Sequence, residues 1–441
     1  MASSDSTTAA PAAAAPPSRR QVIAGVVGMM LEMYDWQVYG FTVAYISASL
    51  FDPSDPFSGL LNGLLVFAVG FLMRPLGGAI IGAYTDRFGR RAGMILGLVL
   101  VGVGSLMIAA VPGYAQIGTW AGVILVAARV LQGIGVGGEQ GAAVSYLSEI
   151  APPGKRALYN AFGYVASSVA VVLAIGLTAT LPTVLGEDAM NTWGWRIPFV
   201  IGAVFTLYAI VMRRTMAETA QFTETKQSHA GARRHSSTRI LLTKYPKPTL
   251  LTFLFVGGGT FCYYVFVLQY STFAHMVTGI KLSQAQLLTT IVIVVFAILQ
   301  PIFGSLADRF GRKRVLLASA IGMFVTLWPG LLLVTGNPAV IIGLQLLATL
   351  PAAAAASVGN AAIAELFPTE VRAVGVALPY AVSVALFGGT APYIMALFAG
   401  RGQVVLLALY GTLLLAFTLV ATLLMPERSR VSLSSVSEAP R

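Results

Sequence analysis

The sequence predicts an all-α membrane protein with twelve transmembrane helices in two related six-helix bundles. Of its 441 residues, 56% are hydrophobic and only 10% are charged, whereas about a quarter of the residues of a soluble protein carry charge. Because a bilayer core is about 30 Å thick, each helix needs roughly 20 apolar residues to cross it. Twelve such stretches follow one another between residues 22 and 425, which leaves no room for a soluble catalytic domain.

A repeated loop indicates that the two bundles are copies of one unit. The segment GAYTDRFGRR at 82–91 returns as GSLADRFGRK at 304–313, and each copy follows the second apolar stretch of its half. A second match, a glutamate seven residues before an arginine, follows the fourth apolar stretch of each half. These repeats predict a first bundle over 22–213 and a second bundle over 248–425, joined by a cytoplasmic linker without periodicity over 214–247. The start of the chain is rich in Ala, Ser, Thr and Pro, which predicts a disordered cytoplasmic tail over 1–21, and a second cytoplasmic tail is predicted over 426–441.

The placement of the basic residues predicts that both termini lie in the cytoplasm. With the N-terminus inside, 23 of the 28 Lys and Arg residues fall in inside segments, and positive charge in short loops marks the cytoplasmic side. The net charge of +11 therefore indicates topology and contact with anionic membrane lipid rather than a nucleic-acid partner. Cys262 is the single cysteine, and the three histidines lack the spacing of metal ligands. We expect no metal or other cofactor, and a functional monomer.

Several motifs carry a resemblance to a known family. The two G-x-x-x-D-R-x-G-R-R/K loops resemble the signature of the major facilitator superfamily, and the R-x-x-Q-G-x-G-x-G run that begins at Arg129 is similar to its fourth-helix motif. Over essentially its whole length, the chain resembles the metabolite:H⁺ symporter branch of this superfamily. The segments that carry this similarity are LEMYDWQVYGF (31–41), FLMRPLGG (71–78), GGEQG (137–141), WGWRIPF (193–199) and LFGGTAP (386–392).

Within that branch, VPGYAQIG and YLSEIAPPGKRALY look most like the citrate and tricarballylate symporters. The resemblance implies the superfamily fold in a bacterial inner membrane and uptake of a small organic anion with protons by alternating access. A di- or tricarboxylate such as citrate or tricarballylate is the expected substrate. Gly163, Ser167 and Ser168 stand where the citrate-like symporters have glutamines, which favours a carboxylate other than citrate itself.

Other functions remain as alternatives or are excluded. Within transport, the alternatives are proton symport of 2-oxoglutarate, shikimate, proline or betaine, and coupling to sodium instead of protons. Proline and betaine carriers that sense osmolarity would have a long heptad-bearing C-terminal tail, and drug antiporters would have prolines in the fifth helix, where 158–181 has none. An enzyme is not expected, since the chain has no nucleophile–base constellation. A receptor would need a signalling domain, and the linker is too short and too basic to form one.

Five ionisable residues within the apolar stretches are candidates for function, because a charge in mid-bilayer costs at least about 2.5–3.5 kcal/mol. Arg129 is predicted to bind a substrate carboxylate through its planar guanidinium; alternatively, it pairs with an acidic residue to hold the first bundle together. Arg74 is predicted either to pair with Glu32 or Asp35 or to contact substrate. Asp35 is preferred as the proton-carrying carboxylate, followed by Glu139, which could instead be a fixed partner of Arg129, and then Glu32.

Uncharged polar residues in the apolar stretches complete the predicted substrate site. Most tyrosines in such helices belong to interfacial belts, which is the alternative for each of them. The predicted substrate-binding residues besides Arg129 are Tyr34, Gln140, Asn160, Tyr164, Tyr263, Tyr264, Tyr270, Asn360 and Tyr380.

The repeated loops predict an intracellular gate. The aspartate of each loop can bind a helix N-terminus, whose free amides and dipole favour an anion, and the arginines can pair with the glutamate of the second match. Alternatively, the arginines only enforce topology. The predicted gate residues are Asp86, Arg87, Arg90, Arg91, Glu149 and Arg156 in the first half, and Asp308, Arg309, Arg312, Glu365 and Arg372 in the second. Separately, Gly133, Gly137 and Gly141 repeat every fourth residue and predict close helix packing.

Overall fold

The computed structural model describes residues 19–88, 90–137, 156–214, 237–368 and 371–427, and in these ranges the chain is almost entirely helical. Twelve long segments of the described chain are numbered here in chain order. They are α1 (Arg19–Leu50), α2 (Pro56–Phe88), α3 (Arg90–Ala110), α4 (Trp120–Val136), α5 (Arg156–Leu185), α6 (Ile197–Arg214), α7 (Pro246–Cys262, Tyr263–Leu268 and Tyr270–Thr278), α8 (Leu282–Phe310), α9 (Arg312–Leu332), α10 (Pro338–Ala364), α11 (Arg372–Ser383, Val384–Gly388 and Ala391–Gly400) and α12 (Val404–Leu424).

These helices confirm the predicted all-α membrane fold. Ten described spans are long and apolar enough to cross a membrane, and Trp120–Val136 is a shorter apolar helix. The first helix, with 32 residues, is about 48 Å long at 1.5 Å per residue. Large apolar side chains such as Leu207, Val325 and Leu413 are more than half exposed, as expected for surfaces that face lipid rather than water.

Successive helices run in opposite directions, so the loops lie on two faces. The terminal face holds the start of α1 and the ends of α2, α4, α6, α8, α10 and α12, and the distal face holds the ends of α1, α3, α5, α7, α9 and α11. Asp55 begins α2 at the distal face by accepting hydrogen bonds from the backbone and side chain of Ser58 at 3.0 and 2.6 Å. The side-chain bond, followed by the backbone bond, lowers the pKa of Asp55. That the terminal face is cytoplasmic stays a prediction.

Part of the linker, whose sequence lacks periodicity, forms a short helix. A helix spans Ser237–Lys244, and its Leu241 is fully buried. Burial of Leu241 against the main apolar core supplies stabilisation that the local sequence, of low mean hydropathy, does not predict. The remainder of the linker, 215–236, lies outside the described residues.

Glycines let α2 and α4 pack backbone against backbone. A β-carbon on Gly133 would collide with the carbonyl oxygen of Gly70, and one on Gly137 would collide with the carbonyl oxygen of Arg74. Gly77 meets the backbone of Ile134 in the same way. Because the colliding atoms are backbone, no rotamer change can relieve the overlap, so these positions require glycine for close packing. Gly141 lies outside the described residues.

The substitution Gly133→Ala should therefore destabilise the protein. Overpacking of a filled interior costs about 1–3 kcal/mol, and we expect a lower midpoint of thermal unfolding in detergent. Gly176→Ala is the matched control, since a β-carbon on Gly176 meets no atom within 4 Å. Equal midpoints for the two variants would contradict the packing argument.

Candidate functional site

A buried carboxylate lies at the centre of the first half. Asp35 of α1 is fully buried, and the hydroxyl of Ser105 on α3 donates to its Oδ1 at 2.6 Å. The amide Nε2 of Gln132 on α4 donates to its Oδ2 at 3.2 Å and to the Ser105 oxygen at 2.7 Å. The α6 backbone is close to the carboxylate, because a β-carbon on Gly202 would collide with Oδ1. Four helices thus meet at Asp35, which has hydrogen bonds but no direct ion pair among the described residues.

The same glutamine connects this carboxylate to a buried cation. Arg129 lies three residues before Gln132 on α4, and its Nη1 donates to Gln132 Oε1 at 2.8 Å. Both side chains are fully buried. Since the two ends of the Gln132 amide face different charged groups, Asp35 and Arg129 belong to one hydrogen-bonded network without contacting each other directly.

An aromatic cage surrounds the Arg129 guanidinium. Its carbon Cζ lies 4.3 Å from the ring centre of Trp36, 4.5 Å from that of Tyr39 and 5.4 Å from that of Phe67. Gly70 leaves space on one side, where a β-carbon would come within 3.0 Å of Nη2. Among the described residues, Nε and Nη2 have no hydrogen-bond acceptor. These two atoms form the edge of the guanidinium that binds a carboxylate in bidentate fashion.

A second arginine lies on the same ring. Arg74 of α2 has its Cζ 4.0 Å from the ring centre of Trp36 and 4.4 Å from that of Phe71. Trp36 therefore contacts both guanidinium groups, and cation–π attraction offsets part of the cost of burying them. The alternative of an Arg74–Asp35 ion pair is not what the structure shows, since Asp35 is bonded to Ser105 and Gln132.

A cluster of tyrosines lies between the two halves. Tyr164 of α5 has Tyr380 of α11, Asn360 of α10 and Tyr263 of α7 as its polar neighbours. Tyr164, Tyr263 and Tyr380 are each only partly buried, although they lie among these interior helices. These three side chains bring polar hydroxyl groups to the contact between the halves. Tyr264, next along α7, extends the cluster towards the arginines.

That extension crosses the boundary between the halves. The ring of Tyr264 packs edge-on against Phe71 of α2 at 5.3 Å and against Phe67 at 6.3 Å, and Phe67 also belongs to the Arg129 cage. Tyr264 is part of a π-helical stretch, Tyr263–Leu268, and such stretches often occur at functional sites. The tyrosines and the arginines therefore form one continuous candidate site.

Known proteins resemble this chain over most of its length. The family model "Sugar (and other) transporter" matches residues 21–243, and the model "Major Facilitator Superfamily" matches residues 271–440. The chain is 32% identical to the alpha-ketoglutarate permease of Escherichia coli strain K12 over 411 residues, which cover 93% of this chain and 94% of that relative. The chain belongs to the major facilitator superfamily.

Further similarities agree with this membership. The transporter is 34% identical to the citrate-proton symporter of Klebsiella pneumoniae, with 83% of this chain and 82% of the relative covered. Its fold matches a crystal structure of a D-xylose-proton symporter with a TM-score of 0.69 at 20% identity, covering 92% of this chain and 96% of that one. The predicted resemblance is confirmed: the protein is a multi-pass membrane transporter of the bacterial inner membrane and not an enzyme.

Two predicted site residues lie away from this transporter's candidate site. The hydroxyl of Tyr34 donates to the carbonyl of Pro198 on α6 at 3.2 Å, and that of Tyr270 donates to the carbonyl of Gly330 on α9 at 2.7 Å. Each tyrosine thus connects helices of one half, and its hydroxyl is occupied by a backbone carbonyl. The structure does not bring Tyr34 or Tyr270 to the contact between the halves.

Other predicted residues lie outside the described part of the chain or belong to helix positions whose side chains are not described. For these the sequence prediction stands as made. They are Glu32, Glu139, Gln140 and Asn160 of the predicted site, and Asp86, Arg87, Arg90, Arg91, Glu149 and Arg156 of the predicted gate.

The gate residues of the second half lie at the terminal face of the transporter. Asp308 at the end of α8 accepts hydrogen bonds from the backbone amides of Ala157 and Leu158 at 3.2 and 3.0 Å, which are at the start of α5. Arg312 lies 3.4 Å from Asp308 and also forms an ion pair with Glu365. The contact of Asp308 with the start of α5 joins the second half to the first. It is favourable because the free amides and the dipole of a helix N-terminus attract an anion.

The two other predicted gate residues differ in position. Arg372 donates through Nε to the carbonyls of Ala364 and Phe367 at 3.1 and 3.2 Å, so it satisfies the C-terminal end of α10. Arg309 is exposed and lies over the ring of its neighbour Phe310 at 5.4 Å. No described contact places Arg309 in the Asp308–Arg312–Glu365 cluster. The gating role of these residues stays a prediction.

We predict that Asp308→Asn loosens the terminal face. Asparagine keeps an acceptor oxygen but loses the negative charge at the start of α5, which costs about 0.3–1 kcal/mol and corresponds to a roughly 2- to 5-fold larger open population. The measurement uses a background in which the buried Cys262 is replaced by alanine and a cysteine is introduced at Ala161, which faces Gly304 of α8. In this background, Asp308→Asn should make the introduced cysteine react faster with a thiol reagent. Asp55→Asn is the control, since Asp55 caps α2 within one half. Unchanged labelling in Asp308→Asn would contradict a latch.

Sequence reasoning did not assign roles to Ser105, Gln132 or Trp36. In the sequence, Ser105 is a single hydroxyl in an apolar helix, and Gln132 is one position of the fourth-helix motif. Trp36 follows Asp35 directly. The polarity of Ser105 and Gln132 at buried helix positions was the signal available, but it does not reveal that both reach Asp35.

Proposed function

We propose that this transporter takes up a small di- or tricarboxylate together with protons by alternating access. The observation that carries the proposal is the guanidinium of Arg129, fully buried, with Nε and Nη2 lacking an acceptor among the described residues. A buried cation without a paired anion is costly. A carboxylate that binds this edge supplies both the charge and the two acceptors.

The surroundings of Arg129 favour an organic anion with more than one carboxylate. Trp36 and Phe71 carry the second guanidinium, that of Arg74, so two cations lie beside the same aromatic surface. The hydroxyls of Tyr164 in the first half and of Tyr263 and Tyr380 in the second offer neutral hydrogen-bond donors for the rest of a polar molecule. The relatives named alpha-ketoglutarate permease and citrate-proton symporter support this class without deciding which carboxylate is carried.

Asp35 is the proposed proton carrier. It is a buried carboxylate in the same network as Arg129, and its ionised form opposes the binding of a second anion nearby. Protonation removes that negative charge, so proton and substrate should favour the same state of the site. The name citrate-proton symporter supports protons over sodium as the coupling ion.

Alternating access requires contacts that can break at either face. At the distal side, Gln269 donates to the carbonyl of Gly40 at 3.0 Å and Gln286 donates to that of Phe41 at 2.9 Å, which join α7 and α8 to α1. At the terminal face, Asp308 joins α8 to α5. We propose that these two sets of hydrogen bonds are the opposing gates.

The test is uptake into proteoliposomes with an imposed inward proton gradient. Labelled citrate, tricarballylate, 2-oxoglutarate, shikimate and proline would be compared, with and without an uncoupler and in sodium-free buffer. We expect uncoupler-sensitive, sodium-independent accumulation of at least one di- or tricarboxylate. Accumulation of proline or shikimate alone would contradict the substrate class, and carboxylate uptake unaffected by uncoupler would contradict proton coupling.

A further inference from the structure

We propose that Gln132 is the positioning residue that couples the proton on Asp35 to the substrate-binding edge of Arg129. The inference rests on the proposed function and adds a residue to it. Its basis is that the Gln132 amide is bonded at both ends, with Nε2 to Asp35 and Ser105 and Oε1 to Arg129.

The network has a defined arrangement when Asp35 is ionised. A carboxylate can only accept hydrogen bonds, so Asp35 faces the hydroxyl of Ser105 and the amino group of Gln132. This orientation places Gln132 Oε1 at Nη1 of Arg129, 2.8 Å away. One guanidinium donor is then occupied, and the nearby negative charge partly compensates the cation.

Protonation gives the Asp35 carboxyl group a hydrogen-bond donor where it had only acceptors. A protonated Asp35 carries an O–H donor, for which the Gln132 Oε1 is an acceptor within the same network once the amide turns. The proton comes from water on the side to which the site is open. Turning the amide takes the acceptor Oε1 away from Arg129 Nη1 and brings the Nε2 donor to face it, while protonation removes the opposing charge of Asp35. Nη1 then joins Nε and Nη2 in lacking an acceptor among the described residues, so an anion becomes the favourable partner of the guanidinium. Proton binding and anion binding therefore strengthen each other.

Few charged groups lie near Asp35 in the described part of the site. The Gln132 amide is therefore the main connection between Asp35 and a cation. The groups that face Asp35 or flank it are Tyr34 of α1, Ser105 of α3, Arg129 and Gln132 of α4, and Gly202 of α6, with Arg74 of α2 over the neighbouring Trp36. The side chain of Glu32 is not among those described.

The second half contains a buried glutamine, Gln345, that bonds only neutral groups and stands at the repeat position of Arg129 rather than of Gln132. Gln345 lies 216 residues after Arg129, the same offset that relates Glu149 to Glu365. Its Nε2 donates to the carbonyl of Phe266 at 2.8 Å and its Oε1 accepts from Thr289 at 3.2 Å. Gln345 is fully buried and doubly bonded like Gln132, but it connects neutral groups, so its removal should leave coupling intact.

The experiment uses the full-length protein in proteoliposomes with labelled 2-oxoglutarate and citrate as probes. Three quantities would be measured: the protons taken up per substrate, the rate of counterflow, which needs no net proton movement, and the dissociation constant at pH 6 and pH 8. For the wild type we expect tighter binding at pH 6, by a factor in the range of about 5- to 150-fold. Gln132→Met should keep counterflow, lower the proton-to-substrate ratio and flatten the pH dependence of binding. Gln345→Met should keep the wild-type ratio.

Each outcome of these measurements either supports or overturns the role of Gln132. A wild-type ratio and pH dependence in Gln132→Met would overturn the role of Gln132 while leaving the proposed function standing. Absence of proton-coupled uptake of either probe by the wild type would overturn the proposed function, and this inference with it. If Gln132→Met does not fold, Gln132→Asn replaces it, because asparagine keeps the amide but is one methylene shorter, so it cannot reach Asp35 and Arg129 at the same time. Wild-type coupling in that variant, or wild-type binding that is equal at both pH values, overturns the inference as well.

Discussion

Replacement of Arg129 by alanine should lower the affinity for the transported carboxylate by roughly 30- to 4,000-fold. This range corresponds to the 2–5 kcal/mol lost when one member of a buried, hydrogen-bonded charge pair is removed. The loss includes the bidentate edge of Nε and Nη2, which no described acceptor occupies, and the positive charge enclosed by Trp36, Tyr39 and Phe67. Binding of labelled substrate to purified protein measures the effect directly.

Two further variants separate recognition from folding. Arg129→Lys keeps the charge but not the planar fork, so its affinity should lie between those of the wild type and the alanine variant. Arg196→Ala is the control for loss of an arginine, since Arg196 bonds the carbonyls of Thr192 and Val111 at 2.8 Å near the distal face. We expect Arg196→Ala to reduce thermal stability and leave affinity unchanged. Wild-type affinity in Arg129→Ala would remove this residue from the site.

Replacement of Asp35 by asparagine should abolish proton-driven accumulation, so that the ratio of inside to outside substrate falls to about one while downhill movement continues. Asparagine has nearly the same volume and keeps one oxygen that can accept from Ser105 or Gln132. It cannot gain or lose a proton. The proton gradient would therefore no longer be linked to the state of Arg129.

Uptake with a gradient and counterflow without one, measured side by side, distinguish this outcome from loss of the fold. Counterflow should survive in Asp35→Asn because it requires only substrate binding and alternation. Asp52→Asn serves as the control carboxylate: Asp52 is exposed in the loop between α1 and α2 and accepts from the backbone of Ser54 at 2.9 Å. Gradient-driven accumulation by Asp35→Asn at the wild-type level would assign the proton to another carboxylate, with Glu139 and Glu32 as the next candidates.

The sequence was sufficient to predict the fold because its signals are long and repeated. An apolar stretch of some twenty residues has few stable arrangements other than a membrane-spanning helix, and the duplicated D-R-x-G-R loops related the two halves. The helix at Ser237–Lys244 was not predicted, since its eight residues are too short and too polar to signal structure without the burial of Leu241. The π-helical stretches of α7 and α11 were also beyond prediction, since a local change of backbone hydrogen-bond register leaves the apolar character of a helix unchanged.

Some residues of the candidate site could be identified from the sequence, and others only from the structure. Arg129 and Asp35 were identified because a charged residue in an apolar span is costly and therefore conspicuous. Tyr164, Tyr263, Tyr264 and Tyr380 were named together with Tyr34 and Tyr270, and only the structure separates the first group from the second. The periodicity of a single helix does not reveal whether a hydroxyl faces the other half, as in the first group, or a carbonyl of its own half, as in the second.

By itself, the sequence determined that this protein is a membrane transporter of two six-helix halves with its intramembrane charges in the first half. The tertiary structure decided how those charges are connected: Asp35 and Arg129 are hydrogen-bonded to opposite ends of the Gln132 amide, with Ser105 and Trp36 as neighbours. The physical reason is that charge and hydropathy are properties of single residues and short segments, which a sequence records. A hydrogen-bonded network across α1, α3 and α4 depends on which faces meet, and the crossing of helices sets that.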